Sequence, residues 1–225
     1  MEAKRAAGEL AVEILQDGMT VGLGTGSTVY HSIQAIGRKV ADGLSIKAVA
    51  TSIHSEQLAR QLGITIIPFS DVEEIDITID GADEVDPDWN LIKGGGGALL
   101  REKIVADASK RLIVIVDESK VVRQLGRFPL PVEVVPFGFE LTERKLRALG
   151  CEPKLRTADS QPYITDNGNY IMDCEFGSIA NPALLAEELH RIPGVVEHGL
   201  FIRMAAQVIV GRPDGSVYEL DRKQP

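Results

Sequence analysis

Apolar residues recur at helical spacing over residues 3–15, and the next apolar stretch, 20–23, has room only for a short strand. The same alternation continues. GTGST opens a helix expected over 27–36. SIKAVA (45–50) reads as a strand, 53–62 as a helix and 64–67 as a third strand. IDITI (75–79) alternates apolar and polar side chains, which suits a strand with unlike faces. Residues 91–92 lead through four glycines into a helix over 98–108. LIVIV (112–116) is apolar throughout, as in parallel strands covered on both faces. Strands alternating with helices predict an open α/β sheet.

The rhythm changes at FPLP (128–131). A strand over 132–135, a helix over 141–149 and a strand over 152–156 follow. The turn DNGN then leads to a strand over 170–174, a helix opened by Asn181-Pro182 that runs to 190, and a strand over 195–202. That β-α-β-β-α-β order is the ferredoxin-like pattern. It predicts a small α+β domain, 128–203, inserted after the sheet. The terminal hairpin, 207–210 and 217–220 around RPDG, is assigned to the first domain, which becomes 1–127 plus 204–225.

Composition narrows the function. With 24 basic and 33 acidic residues the net charge is −9, which disfavours binding to nucleic acid and to anionic membranes. Cys151 and Cys174 lack metal-ligand spacing and read as buried thiols of a reducing compartment. MEAKRAAGELAVEIL has no long apolar segment of the signal-peptide type, and no apolar run approaches membrane-spanning length. The expectation is a cytoplasmic protein without membrane or nucleic-acid partners.

Three stretches stand out. GLGTGST (22–28) follows the first strand, and a glycine turn running into a helix offers backbone N–H groups and the hydroxyls of Thr25, Ser27 and Thr28 to a phosphate. A tight turn capped by Ser27 is the simpler reading of that stretch alone. No lysine precedes the Ser-Thr, and the second strand ends in Thr51-Ser52 without an acid for a ribose diol. Nucleotide loops and dinucleotide fingerprints are therefore both disfavoured. DGADEVD (80–86) carries four acids, which suit a solvated turn or a hard cation, although calcium-loop spacing is absent and Asp80 directly follows a buried strand, where Asn or Ser would turn as well. KGGGGALLREK (93–103) offers Lys93, a run of backbone amides and Glu102 on the following helix; a flexible loop with a surface ion pair is the alternative. All three, with Ser52 and Lys120, are expected at the carboxyl ends of the strands of one sheet, where open α/β sheets bind ligands.

In this order and at these separations, GLGTGST, DGADEVD and KGGGGALLREKIVAD resemble the type A ribose-5-phosphate isomerases. FPLPVEVVPF, YITDNGNYIMD and IPGVVEHGLF are similar to that family too, so the resemblance covers essentially the whole chain. It implies a Rossmann-like, mostly parallel sheet with the smaller ferredoxin-like α+β domain, assembled as dimers or tetramers. It also implies interconversion of D-ribose 5-phosphate and D-ribulose 5-phosphate with no cofactor and no required metal. By similarity, Thr25, Gly26, Ser27, Thr28, Asp80, Gly81, Ala82, Asp83, Lys93, Gly94, Gly95, Gly96 and Lys120 bind the sugar phosphate, and Lys4 reaches the phosphate. Glu102 matches the family's proton acceptor.

Such a reaction moves a proton between C2 and C1 through an enediolate. A weakly acidic C–H needs stabilisation of the developing oxyanion as well as a base. Lys93 and the amides of Gly94 to Gly97 are the expected donors. Asp80 and Asp83 are assigned to sugar hydroxyls, and Asp80 to assisting ring opening. Two other classes remain for comparison: a sugar-phosphate sensor module, which would need a DNA-binding domain, and an amino-sugar-phosphate deaminase of related fold.

Overall fold

The structure is a computed structural model and describes residues 1–222. The last three residues of the expected first domain lie outside the described residues. In chain order the elements are α1 (Glu2–Val12), β1 (Thr20–Leu23), α2 (Ser27–Ala41), β2 (Lys47–Ala50), α3 (Ile53–Gln61), β3 (Thr65–Ile66), β4 (Ile77–Gly81), β5 (Glu84–Val85), β6 (Leu91–Ile92), α4 (Leu99–Asp107) and β7 (Leu112–Asp117). They continue with β8 (Leu130–Val134), α5 (Phe139–Ala148), β9 (Glu152–Leu155), β10 (Thr157–Ala158), β11 (Gln161–Pro162), β12 (Tyr170–Glu175), α6 (Pro182–His190), β13 (Val195–His198), β14 (Leu200–Phe201), β15 (Ala205–Gly211) and β16 (Val217–Glu219). Side chains start two of the helices: Ser52 Oγ accepts the Ser55 N–H at 3.1 Å before α3, and Asn181 Oδ1 accepts the Leu184 N–H at 3.1 Å before α6, with Pro182 at the first turn.

Chain contacts divide the protein into two compact units. The first holds Met1–Ala82, Arg101–Val121 and the described residues from Met204 to Arg222. Its sheet has the order β16-β15-β7-β4-β1-β2-β3, and every pair is parallel except the edge pair β15–β16. The LIVIV run forms β7 between β4 and β15 and is buried throughout, as its lack of alternation requires. The terminal hairpin joins this sheet, as expected. From β1 the chain first builds outward through β2 and β3, then crosses to the other side through β4. The strand order therefore reverses between β1 and β4, and the crevice beyond their carboxyl ends is the place where such sheets bind ligands.

The second unit comprises Asp83–Leu100 and Val122–Arg203. Its four-stranded antiparallel sheet has the order β13-β8-β12-β9, the arrangement that a ferredoxin-like β-α-β-β-α-β chain adopts. Leu146 of α5 and Leu185 and Leu189 of α6 join Val132, Val134, Met172 and Cys174 in its core.

Two expectations need correction. Leu91 and Ile92, expected in the main sheet, belong instead to a small antiparallel sheet, β14-β6-β5, in the second unit. The KGGGG run therefore does not leave the carboxyl edge of the parallel sheet, and residues 83–100 group with the smaller unit. The single strand expected over 195–202 breaks at Gly199, so that β13 pairs with β8 and β14 pairs with β6. The break follows from close approach: a Cβ at Gly199 would lie 2.2 Å from the Lys93 carbonyl oxygen. Among the described residues no helix is long and apolar enough to cross a membrane.

Candidate active site

In the first unit the β1–α2 loop and the end of β4 are built around Asp80. Its side chain is fully buried, and Oδ1 accepts the Thr25 N–H at 3.1 Å and the Gly81 N–H at 2.7 Å. A buried carboxylate is expensive unless N–H groups hold it, and these two serve that purpose. Register puts Leu23 opposite Ile79, so the loop leaves β1 beside Asp80. A Cβ at Gly24 would lie 2.1 Å from Asp80 Oδ1 and 2.7 Å from its Cα, so that position admits glycine alone.

Thr25 was expected to offer its hydroxyl to a phosphate. Instead Oγ1 lies 2.7 Å from Thr51 Oγ1 and 2.8 Å from Ser52 Oγ, while Ser55 Oγ donates to the Gly24 carbonyl at 2.7 Å. This hydroxyl cluster fixes the loop from below. Ser52 was anticipated on this edge; Thr51 and Ser55 were not, since a lone Ser or Thr at a helix start reads as a cap. Beyond Thr25 the chain turns at Gly26 (φ 117°) into α2, with Gly26 and Ser27 exposed and Thr28 half-buried. Lys4 Nζ donates to Ser27 Oγ at 2.9 Å, so a cation stands at this helix N-terminus. Helix amides plus a lysine are a suitable seat for a phosphate. Gly81, Ala82 and Lys120 are half-buried, Lys120 in the 3-10 turn after β7. Glu102, 3% exposed, occupies the first turn of α4, where a helix N-terminus favours negative charge.

The second unit holds Asp83 and the glycine run. Lys93 is 2% exposed, its N–H donates to the Gly199 carbonyl at 2.9 Å and its ammonium lies 5.4 Å from the centre of the Phe201 ring. Asp83 Oδ2 accepts the Gly95 N–H at 2.7 Å, and the Gly97 N–H donates to the Gly94 carbonyl at 2.9 Å. Two of the four amides expected to face a substrate are thus engaged within the loop. Gly95 and Gly96 are exposed, whereas Gly94 and Gly97 are buried, so among the described residues Gly96 carries the accessible amide of the run that is not engaged within the loop. The run also has steric reasons to be glycine: a Cβ at Gly95 would lie 2.5 Å from Asp83 Oδ1, and one at Gly97 2.2 Å from the Tyr163 hydroxyl.

The other two acids of DGADEVD serve the fold. Glu84 is buried and accepts the N–H groups of Gly126 and Phe128, both at 2.7 Å. Asp86 accepts the N–H groups of Asp88 and Asn90 at 2.9 and 2.8 Å. Among the described residues one cluster has metal-ligand composition: His190, Glu197 and His198. His198 Nδ1 accepts the Leu200 N–H at 3.2 Å, however, which places the proton of a neutral ring on Nε2 and takes that lone pair away from a cation.

Residues 47–215 match the model of the family described as Ribose 5-phosphate isomerase A (phosphoriboisomerase A). The chain is 56% identical to the ribose-5-phosphate isomerase A of Bacillus mycoides over 96% of its length and 98% of that relative. It is 51% identical to the enzyme of Listeria monocytogenes, over 98% of each chain. A solved D-ribose-5-phosphate isomerase in complex with phospho-erythronic acid superimposes with a TM-score of 0.93 at 41% identity, over 97% of both chains. The ribose 5-phosphate isomerase of Plasmodium falciparum does so with a TM-score of 0.93 at 40% identity, over 98% of both.

Proposed function

Because this chain belongs to the ribose 5-phosphate isomerase A family, we propose that it interconverts D-ribose 5-phosphate and D-ribulose 5-phosphate through an enediolate, with Glu102 as the base. The observation that carries the assignment of roles is burial. Lys93 and Glu102, 2% and 3% exposed, flank the glycine run in sequence, and buried ionisable side chains of this kind cluster at functional sites.

Asp80 assists opening of the furanose ring, which frees the C1 aldehyde. Glu102 then removes the proton on C2. The electron pair of that bond forms the C1–C2 double bond, and O1 gains negative charge. Lys93 and the Gly96 amide stabilise that charge. Donors of this kind are each worth about 3 to 4 kcal/mol in other enzymes. Return of the proton to C1, with the O2 proton passing to O1, gives the ketose. The phosphate is held away from the reacting carbons by Gly26, Ser27, Thr28 and Lys4, so binding energy positions C1 and C2. Gly81, Ala82, Asp83, Gly94, Gly95 and Lys120 complete the sugar-phosphate contacts in this reading, and Thr25 supports the loop. No cofactor or metal takes part. Phospho-erythronic acid, seen in a relative, suits this chemistry because its carboxylate mimics the two oxygens of the enediolate.

We read the enzyme as a cytoplasmic homodimer or homotetramer, which light scattering on purified protein would resolve. A coupled assay for ribulose 5-phosphate formed from ribose 5-phosphate tests the reaction. Ammonia release from an amino-sugar phosphate without ketose formation would favour the deaminase instead.

A further inference from the structure

The glycine run contains the most easily reoriented peptides in the protein, yet an electrostatic donor is useful only if it is fixed before the reaction begins. Arg156 supplies the fixing. It follows β9, and its backbone is tied on both sides: its N–H donates to the Ile171 carbonyl at 2.8 Å and its carbonyl accepts the Tyr163 N–H at 2.9 Å. Its guanidinium forks onto Asp173, Nε to Oδ2 at 2.9 Å and Nη2 to Oδ1 at 2.5 Å. Only 15% of the Arg156 side chain and 26% of the Asp173 side chain is exposed, so this is not a pair dissolved in solvent. The third nitrogen, Nη1, donates to the Gly94 carbonyl at 3.0 Å and to the Gly95 carbonyl at 3.2 Å.

The consequence follows from peptide geometry. In a trans peptide the C=O and the next N–H point in opposite directions. The Gly94–Gly95 peptide is therefore held at both poles, its carbonyl by Arg156 and its N–H by Asp83. In the Gly95–Gly96 peptide the carbonyl is drawn to Arg156, so the Gly96 N–H is aimed away from the guanidinium. A cation on the carbonyl also polarises the peptide and makes that N–H a stronger donor. Tyr163 closes the assembly. Its hydroxyl occupies the space above Gly97, its ring centre lies 5.9 Å from the Arg156 guanidinium carbon, and burial raises its pKa above the ordinary phenol value, which keeps it neutral.

We propose that Arg156, buttressed by Asp173, is a positioning residue for isomerisation: by gripping the Gly94 and Gly95 carbonyls it locks the orientation of the Gly96 amide that stabilises the enediolate. This rests on the reading of the glycine run as the oxyanion cradle. Nothing in the local sequence announces it, since LRT (155–157) lies about sixty residues from the glycines.

The test compares Arg156→Lys, Arg156→Ala, Asp173→Asn and Gly96→Ala by steady-state kinetics, thermal melting and inhibition by phospho-erythronic acid. Arg156→Lys keeps the charge but loses the fork. It is expected to lower kcat by about 10- to 100-fold, the scale of an ångström misplacement, while KM stays within about twofold. The inhibition constant of phospho-erythronic acid should rise with the loss in kcat/KM, a proportionality that a merely structural residue would not give. Asp173→Asn should show the same pattern more weakly. If Gly96→Ala is damaging but both Arg156 variants keep kcat within about twofold, the positioning role is overturned and the cradle stands. If Gly96→Ala is itself silent, the cradle reading falls and the proposal falls with it. A loss of kcat in the Arg156 variants that disappears at temperatures well below their melting point would assign Arg156 to stability and overturn the proposal as well.

Discussion

The carboxylate of Asp83 accepts the Gly95 N–H at 2.7 Å, and a Cβ placed on Gly95 would lie 2.5 Å from the other oxygen of the same group. One acid of DGADEVD therefore sets the shape of KGGGG, and the two motifs form a single structural statement within the smaller unit. Gly95→Ala must displace Asp83 from the loop it holds. It is expected to lower kcat/KM by about 100-fold, as misplacement at a reacting centre does, with a melting temperature within a few degrees of the parent. Kinetics and calorimetry on the same preparation check it; matched losses in both would make the run a packing element.

Glu84 lies one residue further on and has the opposite character. Its two oxygens satisfy the buried N–H groups of Gly126 and Phe128. Glu84→Ala orphans both donors, at about 1–3 kcal/mol each, so a loss of about 2–6 kcal/mol of stability is expected. Turnover per folded molecule at low temperature should stay close to that of the parent. Denaturant unfolding combined with active-site titration separates the two effects.

Asp80→Asn keeps the Oδ1 acceptor that Thr25 and Gly81 require, so folding should be retained. If Asp80 assists ring opening, the variant should turn over ribose 5-phosphate at least about 10-fold more slowly, the lower range for acid–base participation. Unchanged kcat with raised KM would reduce Asp80 to a binding group.

A pH test addresses the first unit. The Asp76 carboxylate is held below its ordinary pKa of 3.8, first by the Thr20 N–H and then by Lys110. A depressed carboxylate pKa adds stability above the unfolded value, and that stability is lost as pH falls through the folded value. Asp76→Asn should therefore melt below the parent at pH 7. The difference should narrow as pH falls below 3.8 and vanish once Asp76 itself is protonated; a gap independent of pH would trace to lost hydrogen-bond geometry instead.

Much of this architecture was legible in the chain. LIVIV and the alternating helices required a parallel sheet, and the β-α-β-β-α-β order of the second half produced the expected four-stranded arrangement. The strands at 84–85, 91–92 and 200–201 were not legible as a sheet, because two-residue strands carry no periodicity and their pairing is decided by tertiary contact. The KGGGG run accordingly follows a strand of that small antiparallel sheet rather than a strand of the parallel one. Candidate site residues are legible as candidates where glycine, acid and lysine cluster in sequence. Site chemistry is not readable where the same residue type serves two ends, as in Asp83 against Glu84. Nor is it readable where a distant side chain grips the loop, as Arg156 does at the Gly94 and Gly95 carbonyls.

The central claim is that Glu102 carries the proton between C2 and C1. The most direct test is the steady-state rate of Glu102→Gln on ribose 5-phosphate, with thermal melting as the control for folding. The expected result is a fall in kcat of about 1,000-fold, within the range of general-base catalysis, with a melting temperature near that of the parent. A kcat within a few-fold of the parent would contradict the account.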